Sequence, residues 1–329
     1  MCPAFAVSSL RERLMTDPAS LDAVQLSLGP VFQSVLPVSL AVIMFAVALS
    51  LRVEDFLALV RRPVRFAGAA LTQILLLPLA TLGLIMLINP QPSIALGMIV
   101  VACCPGGNVS NFFTHLGRGD TALSVSLTAT SSLLAALATP ISILFWSGLY
   151  GPTRELVDAL DVDALPFVLQ TMVILAVPLI AGMTLAARAP GFARRLRPVM
   201  SVLAMAILVL IILGSLAGNA DLLLMGAVAI LPTVILHNAM ALLLGYATGW
   251  ALRFDARGRR AMTIEIGIQN SGLGLVILLG ALGGLGGAAA VIAVWGIWHL
   301  ISGLGLAYGF RLSDHLQKKN EAMSASPGA

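Results

Sequence analysis

The chain has 329 residues, 59% of them hydrophobic and only 10% charged, with a mean hydropathy of +0.98. A soluble domain carries about 25% charged residues, so this supply cannot cover a water-soluble surface, which excludes a soluble enzyme, a nucleic-acid binder and a disordered scaffold. The net charge of +4 is then no sign of nucleic acid, because the basic excess of a membrane protein gathers in its cytoplasmic loops. Cys2 is terminal, and Cys103 and Cys104 are adjacent in an apolar stretch. They give neither a disulfide framework nor metal spacing and read as small apolar residues.

In chain order, residues 1–30 hold Arg11, Glu12, Arg13, Asp17 and Asp22 and no long apolar run. They form a polar N-terminal segment, neither signal peptide nor span. About 20 apolar residues cross roughly 30 Å of hydrocarbon. Nine such stretches follow, near 31–51, 64–88, 93–115, 121–148, 164–187, 198–216, 223–252, 260–282 and 288–311. From 313 to 329 the chain reads as a polar, mobile tail. The arginines set the orientation. The first, third, fifth and seventh connections and the C-terminal end hold 16 of the 19 basic residues. The other side has only Arg11, Arg13 and Arg154, the last among Glu155, Asp158, Asp161 and Asp163. The N-terminus is therefore expected outside and the C-terminus in the cytoplasm.

Among the 15 acidic residues, only Glu265 lies within an apolar stretch. A charge at the bilayer centre costs at least about 2.5–3.5 kcal/mol, so such a carboxylate is a functional candidate. The plainer alternative is a protonated Glu bonded to a neighbouring helix. Two stretches are broken near their middles. The third reads CCPGGNVSN from Cys103 to Asn111, and the eighth reads TIEIGIQNSGLGL from Thr263 to Leu275. Proline lacks the amide donor and glycine is a poor helix former. Irregular backbone at membrane depth is tolerated only inside protein or beside a water-filled cavity. A proline kink or a glycine packing face explains one break, but not two that both concentrate amides and hydroxyls.

The breaks occupy the third member of stretches one to four and of six to nine, which enter the membrane from opposite sides. That is the pattern of an inverted repeat. The second half of each broken helix offers free N–H groups and a positive dipole end to an anion. Asn108 to Asn111 and Asn270-Ser271 lie at those ends. The first half offers carbonyls, here of Ile266 and Ile268, to a cation, and hard cations prefer oxygen. Ser124 and Thr128 share one helical face, and Gln73 is a further buried amide five residues before Pro78. An anion site beside one or two cation sites is the anatomy of a secondary transporter.

CCPGGNVSN, the Ser124/Thr128 spacing, ILHNAMALLLGY (235–246), AMTIEIGIQNSGL (261–273) and WHLISG (298–303) resemble the bile acid:sodium symporter family, over about residues 28–311. The fold expected is an all-α polytopic membrane protein of nine transmembrane helices, an inverted repeat with two discontinuous helices crossing at the midplane. The resemblance implies a core domain, about 64–148 and 223–311, moving against a panel, about 31–51 and 164–216, within a membrane domain spanning 31–312. It also implies two sodium sites. One would use Ser110, Asn111, Ser124, Thr128 and Glu265. The other would use Gln73, Glu265, Gln269 and the carbonyls of Ile266 and Ile268. Two departures, Asn108 where many members have Thr and Leu300 where some bacterial relatives have Asn, bear on substrate rather than coupling.

Asn108, Asn270 and His299 are the candidates to touch substrate, although His299 is equally a packing histidine satisfied by a backbone carbonyl. His237-Asn238 reads as a structural contact between helices. The expected activity is sodium-coupled symport of an organic anion, bile-acid-like or a small carboxylate such as a pantoate-like acid. Its partners are sodium, that anion and the lipid bilayer, with no nucleic acid and no required oligomer. The expected location is a bacterial inner membrane, since Arg far exceeds Lys in an Ala- and Leu-rich chain. Three rivals stay open. One is a proton-coupled carrier using Glu265, for which the surrounding hydroxyls and amides are surplus. Another is an intramembrane enzyme, which lacks paired carboxylates, a nucleophile with its base, and a metal cluster. The last, a receptor without transport, leaves the two breaks unexplained.

Overall fold

The computed structural model describes residues 30–49, 51, 63–217 and 220–324, so the segment 1–30 lies outside the described residues except for Pro30. Among the described residues the chain is all helical, with twelve helices. These are α1 (Pro30–Ala48), α2 (Pro63–Ile88), α3 (Pro92–Cys103), α4 (Asn108–Leu116), α5 (Thr121–Gly148) and α6 (Gly151–Ala159), then α7 (Ala164–Arg188), α8 (Pro190–Ala217), α9 (Ala220–Ala251), α10 (Ala256–Gly267), α11 (Ser271–Ala281) and α12 (Gly286–Ser324). Five of them, α2, α5, α7, α9 and α12, are long and apolar enough to cross a membrane, and the protein is a polytopic membrane protein.

Local sequence fixes most boundaries. Pro92 opens α3 at a position where a missing N–H costs nothing. Asp120 and Asp255 cap α5 and α10 by accepting from the Leu123 and Gly258 amides at 3.1 and 2.8 Å. Asn89 closes α2 in the left-handed region, with φ 44°. In α2, residues Thr72–Leu76 form a π turn, with the Leu77 amide bonded to the Thr72 carbonyl. Pro78 follows at once, and the wider turn makes room for its ring against the preceding carbonyls. The turn also swings Thr72 and Gln73 into the interior.

In lipid, close packing rather than the hydrophobic effect holds helices together. α3 is buried on every side from Ser93 to Cys103 and packs on α12, α2 and α5. α9 lies along α10, and at Gly245 a Cβ would strike the Met262 carbonyl, so glycine there lets the two backbones touch. α1 packs against α7 and α8. Two sequence expectations are corrected. Residues 313–324, expected as a mobile tail, continue α12 as helix to Ser324. α8 begins at Pro190 rather than 198 and carries Arg194, Arg195 and Arg197 in its first turns.

Candidate functional site

The site is built on the two breaks, which bind each other. The residue before a proline is driven out of the helical region, and Cys104, before Pro105, is extended with ψ 153°. α3 therefore stops and α4 starts afresh from Gly107. The second break spans Ile268 to Asn270. Gly106 and Gln269 form an antiparallel bridge. The Gly107 amide donates to the Ile268 carbonyl at 3.0 Å, and the Asn270 amide to the Pro105 carbonyl at 2.9 Å. Some groups that each helix loses at its break are thus satisfied by the other break.

Glu265, 2% exposed, lies on the last turns of α10. Ser110 and Ser124 place hydroxyls 2.6 and 2.8 Å from its Oε2, and Thr128 places one 2.6 Å from Oε1. Asn111 Oδ1 stands 2.8 Å from Ser124 Oγ and 3.3 Å from Thr128 Oγ1. Each hydroxyl has one proton. Neither Ser124 nor Thr128 can therefore donate to Glu265 and Asn111 at once, and six side-chain oxygens, from Glu265, Asn111, Ser110, Ser124 and Thr128, converge here. Such a set suits a hard cation. Gly106 completes the fit, because a Cβ there would collide with Glu265 Oε1. Among the described residues, no group of three His, Cys, Asp or Glu stands ready for a softer metal.

The residues expected for a second cation site are only partly brought together. Gln73 Nε2 donates to Gln269 Oε1 at 2.6 Å and to the Cys104 carbonyl at 3.2 Å. Gln269 Nε2 donates to the Ile266 carbonyl at 2.7 Å. Gln73 Oε1 is buried without a hydrogen-bond partner. The Ile268 carbonyl faces Gly107, and both Glu265 oxygens face the first cluster. Of the substrate candidates, the Asn108 side chain lies outside the described residues. Asn270 caps α11, its Oδ1 accepting from the Leu273 amide at 3.1 Å. His299 Nδ1 bonds the Trp295 carbonyl one turn back at 2.8 Å.

Two contributors, Thr114 and Thr139, were not singled out by sequence. Thr114, one turn after Ser110, lies 3.3 Å from Ser124 Oγ, and its i+4 spacing was the available signal. Thr139, three turns beyond Thr128 on the same face, donates to the Cys103 carbonyl at the first break at 2.9 Å. Asn238 donates to the Gly267 carbonyl at 2.8 Å and accepts from Ser302 at 2.7 Å, joining α9, α10 and α12. Its neighbour His237 bonds Thr81 at 2.8 Å.

This geometry can be set beside known proteins. A family profile described as the Sodium Bile acid symporter family matches residues 37–225, which contain the first break. The chain is similar to the "Uncharacterized sodium-dependent transporter YocS" of Bacillus subtilis (strain 168), 35% identical over 247 residues, 74% of this chain and 73% of that one. It is 30% identical over 263 residues to the "Probable sodium/metabolite cotransporter BASS1, chloroplastic" of Oryza sativa subsp. japonica, covering 79% of this chain and 63% of the rice protein. It is 28% identical over 250 residues to the "Ileal sodium/bile acid cotransporter" of Homo sapiens, covering 75% and 69%. The chain therefore belongs to the sodium bile acid symporter family, a family of transporters and not of enzymes.

Proposed function

We propose that the chain is a sodium-coupled symporter that takes up an organic anion by alternating access. The observation that carries this reading is the convergence of six side-chain oxygens at Glu265, drawn from α4, α5 and α10. The relatives named as sodium-dependent or sodium-coupled support it.

In this reading nine spans cross a bacterial inner membrane, with the N-terminus outside and the C-terminus in the cytoplasm. The two halves form an inverted repeat, and the breaks cross at the midplane. The core (about 64–148 and 223–311) moves against the panel (about 31–51 and 164–216). One sodium ion is carried by Ser110, Asn111, Ser124, Thr128 and Glu265. A second is carried by Gln73, Glu265, Gln269 and the carbonyls of Ile266 and Ile268, where the unpartnered Gln73 oxygen is the supporting detail. Cation binding offsets the Glu265 charge and draws α4, α5 and α10 together. Asn108, Asn270 and the N-termini of α4 and α11 then meet the substrate carboxylate. With Nδ1–H given to the Trp295 carbonyl, His299 keeps Nε2 as an acceptor. It would take a substrate hydroxyl rather than the carboxylate. Coupling requires that sodium and anion together favour one state more than either does alone.

The test is uptake into proteoliposomes of two probes, a bile acid and pantoate. Accumulation of either under an inward sodium gradient, unaffected by a protonophore, is expected. Accumulation that follows a proton gradient in sodium-free buffer would overturn sodium coupling.

A further inference from the structure

The ends of α4 and α10 remote from the breaks meet on α12. Asp314 accepts from both terminal nitrogens of Arg260, from Nη1 at 3.0 Å, and from Arg118 Nη1 at 3.4 Å. Arg260 Nη1 also donates to the Gly117 carbonyl at 3.1 Å, at the cap of α4. The Arg260 guanidinium lies 5.1 Å from the centroid of the Phe310 ring. The Arg260 and Asp314 side chains are 15% and 19% exposed, against 51% for Arg118, so the Arg260 pair is the sheltered, two-pronged one. An open cavity of about 640 Å³, lined also by Arg257 and Glu321, borders it.

This contact is close to the cation cluster. Arg260 is five residues before Glu265, and Gly117 six after Asn111. At about 1.5 Å per residue the separations are roughly 7.5 and 9 Å along the helices. α4 and α10 have 9 and 12 residues. Helices this short are marginal on their own, and each has lost its ladder at the break. The break pairing holds one end of each; the Asp314 contact holds the other.

We propose that Asp314 is a positioning residue for the cation cluster, clamping α4 and α10 through Arg260 so that Ser110 and Asn111 stay opposite Glu265. The inference rests on the sodium reading above. Without the clamp fewer molecules hold the assembled cluster, and the apparent dissociation constant rises by the inverse of that fraction.

The test is thermal unfolding of the purified full chain in potassium chloride progressively replaced by sodium chloride. Asp314→Asn and Arg260→Lys, which keeps the charge and loses the fork, are expected to raise the half-saturating sodium concentration by about three- to tenfold. An unchanged half-saturating concentration, with only a lower Tm in potassium, would reduce the clamp to a structural contact and overturn the proposal. Should Asp314→Asn not fold, Arg260→Lys decides by the same criterion. A wild type indifferent to sodium would overturn the sodium reading and this inference with it, a result visible before any variant is compared.

Discussion

Glu265 receives hydroxyls from two other helices, and each has a separable role. Ser124 and Thr128 each touch three partners, and the Ser124 oxygen lies near Glu265, Asn111 and Thr114 at once. Ser124→Ala is expected to raise the sodium concentration needed for half-maximal stabilisation by about tenfold, the scale of one hydrogen bond to a charged group. Sodium titration of the Tm would show it, and an unchanged titration would remove Ser124 from the site. Gly106→Ala is a steric counterpart. Its Cβ would displace the Glu265 carboxylate and cost about 1–3 kcal/mol of stability, as overpacking does. A thermal shift measurement would read both that loss and the loss of the sodium response.

The helical elements show what a sequence can and cannot convey. Both breaks are legible, because Pro105 with Gly106-Gly107, and Gly267 with Gly272, oppose helix within apolar runs. Their mutual pairing is not, because the bridge between Gly106 and Gln269 joins segments far apart in the chain. The π turn before Pro78 had a signal in the proline itself, but only the fold reveals which residues it turns inward. Asn238 reads as a helix contact, while its hold on the Gly267 carbonyl depends on the register between α9 and α10. Asn238→Ala leaves that carbonyl without its partner, while Ser302 keeps the His299 carbonyl at 3.2 Å, and is expected to cost about 1–3 kcal/mol, read as a lower Tm in potassium. α12 continues beyond 312 because Phe310 and Asp314 find partners on α10 and α4, which local composition does not foretell.

At the scale of the whole molecule, hydropathy delineates the membrane segments because lipid admits few charges, whereas packing between segments leaves little trace in composition. Charge outside the spans has its own consequence. The hydrogen bonds from Arg260, against an opposing effect of burial and helped by the Arg260 charge and by Arg118, hold the Asp314 carboxyl below its ordinary value of 3.8. A carboxylate lowered on folding stabilises the fold above its unfolded pKa, and that stabilisation is lost as pH falls through the lower folded value. The difference in Tm between wild type and Asp314→Asn in potassium should therefore stay level from about pH 8 to 5 and close below about pH 4. A difference that grows on acidification would contradict the ion pair.

The central claim, a sodium ion held by Glu265 and its hydroxyls, is tested most directly by thermal stability in sodium against potassium, for wild type and Glu265→Gln. A ligand bound only by the folded state adds about 2.7 kcal/mol at a hundred times its dissociation constant. Sodium is expected to raise the wild-type Tm selectively and to leave Glu265→Gln unmoved. Equal stability of the wild type in the two salts, or a sodium response that survives in Glu265→Gln, would contradict the claim.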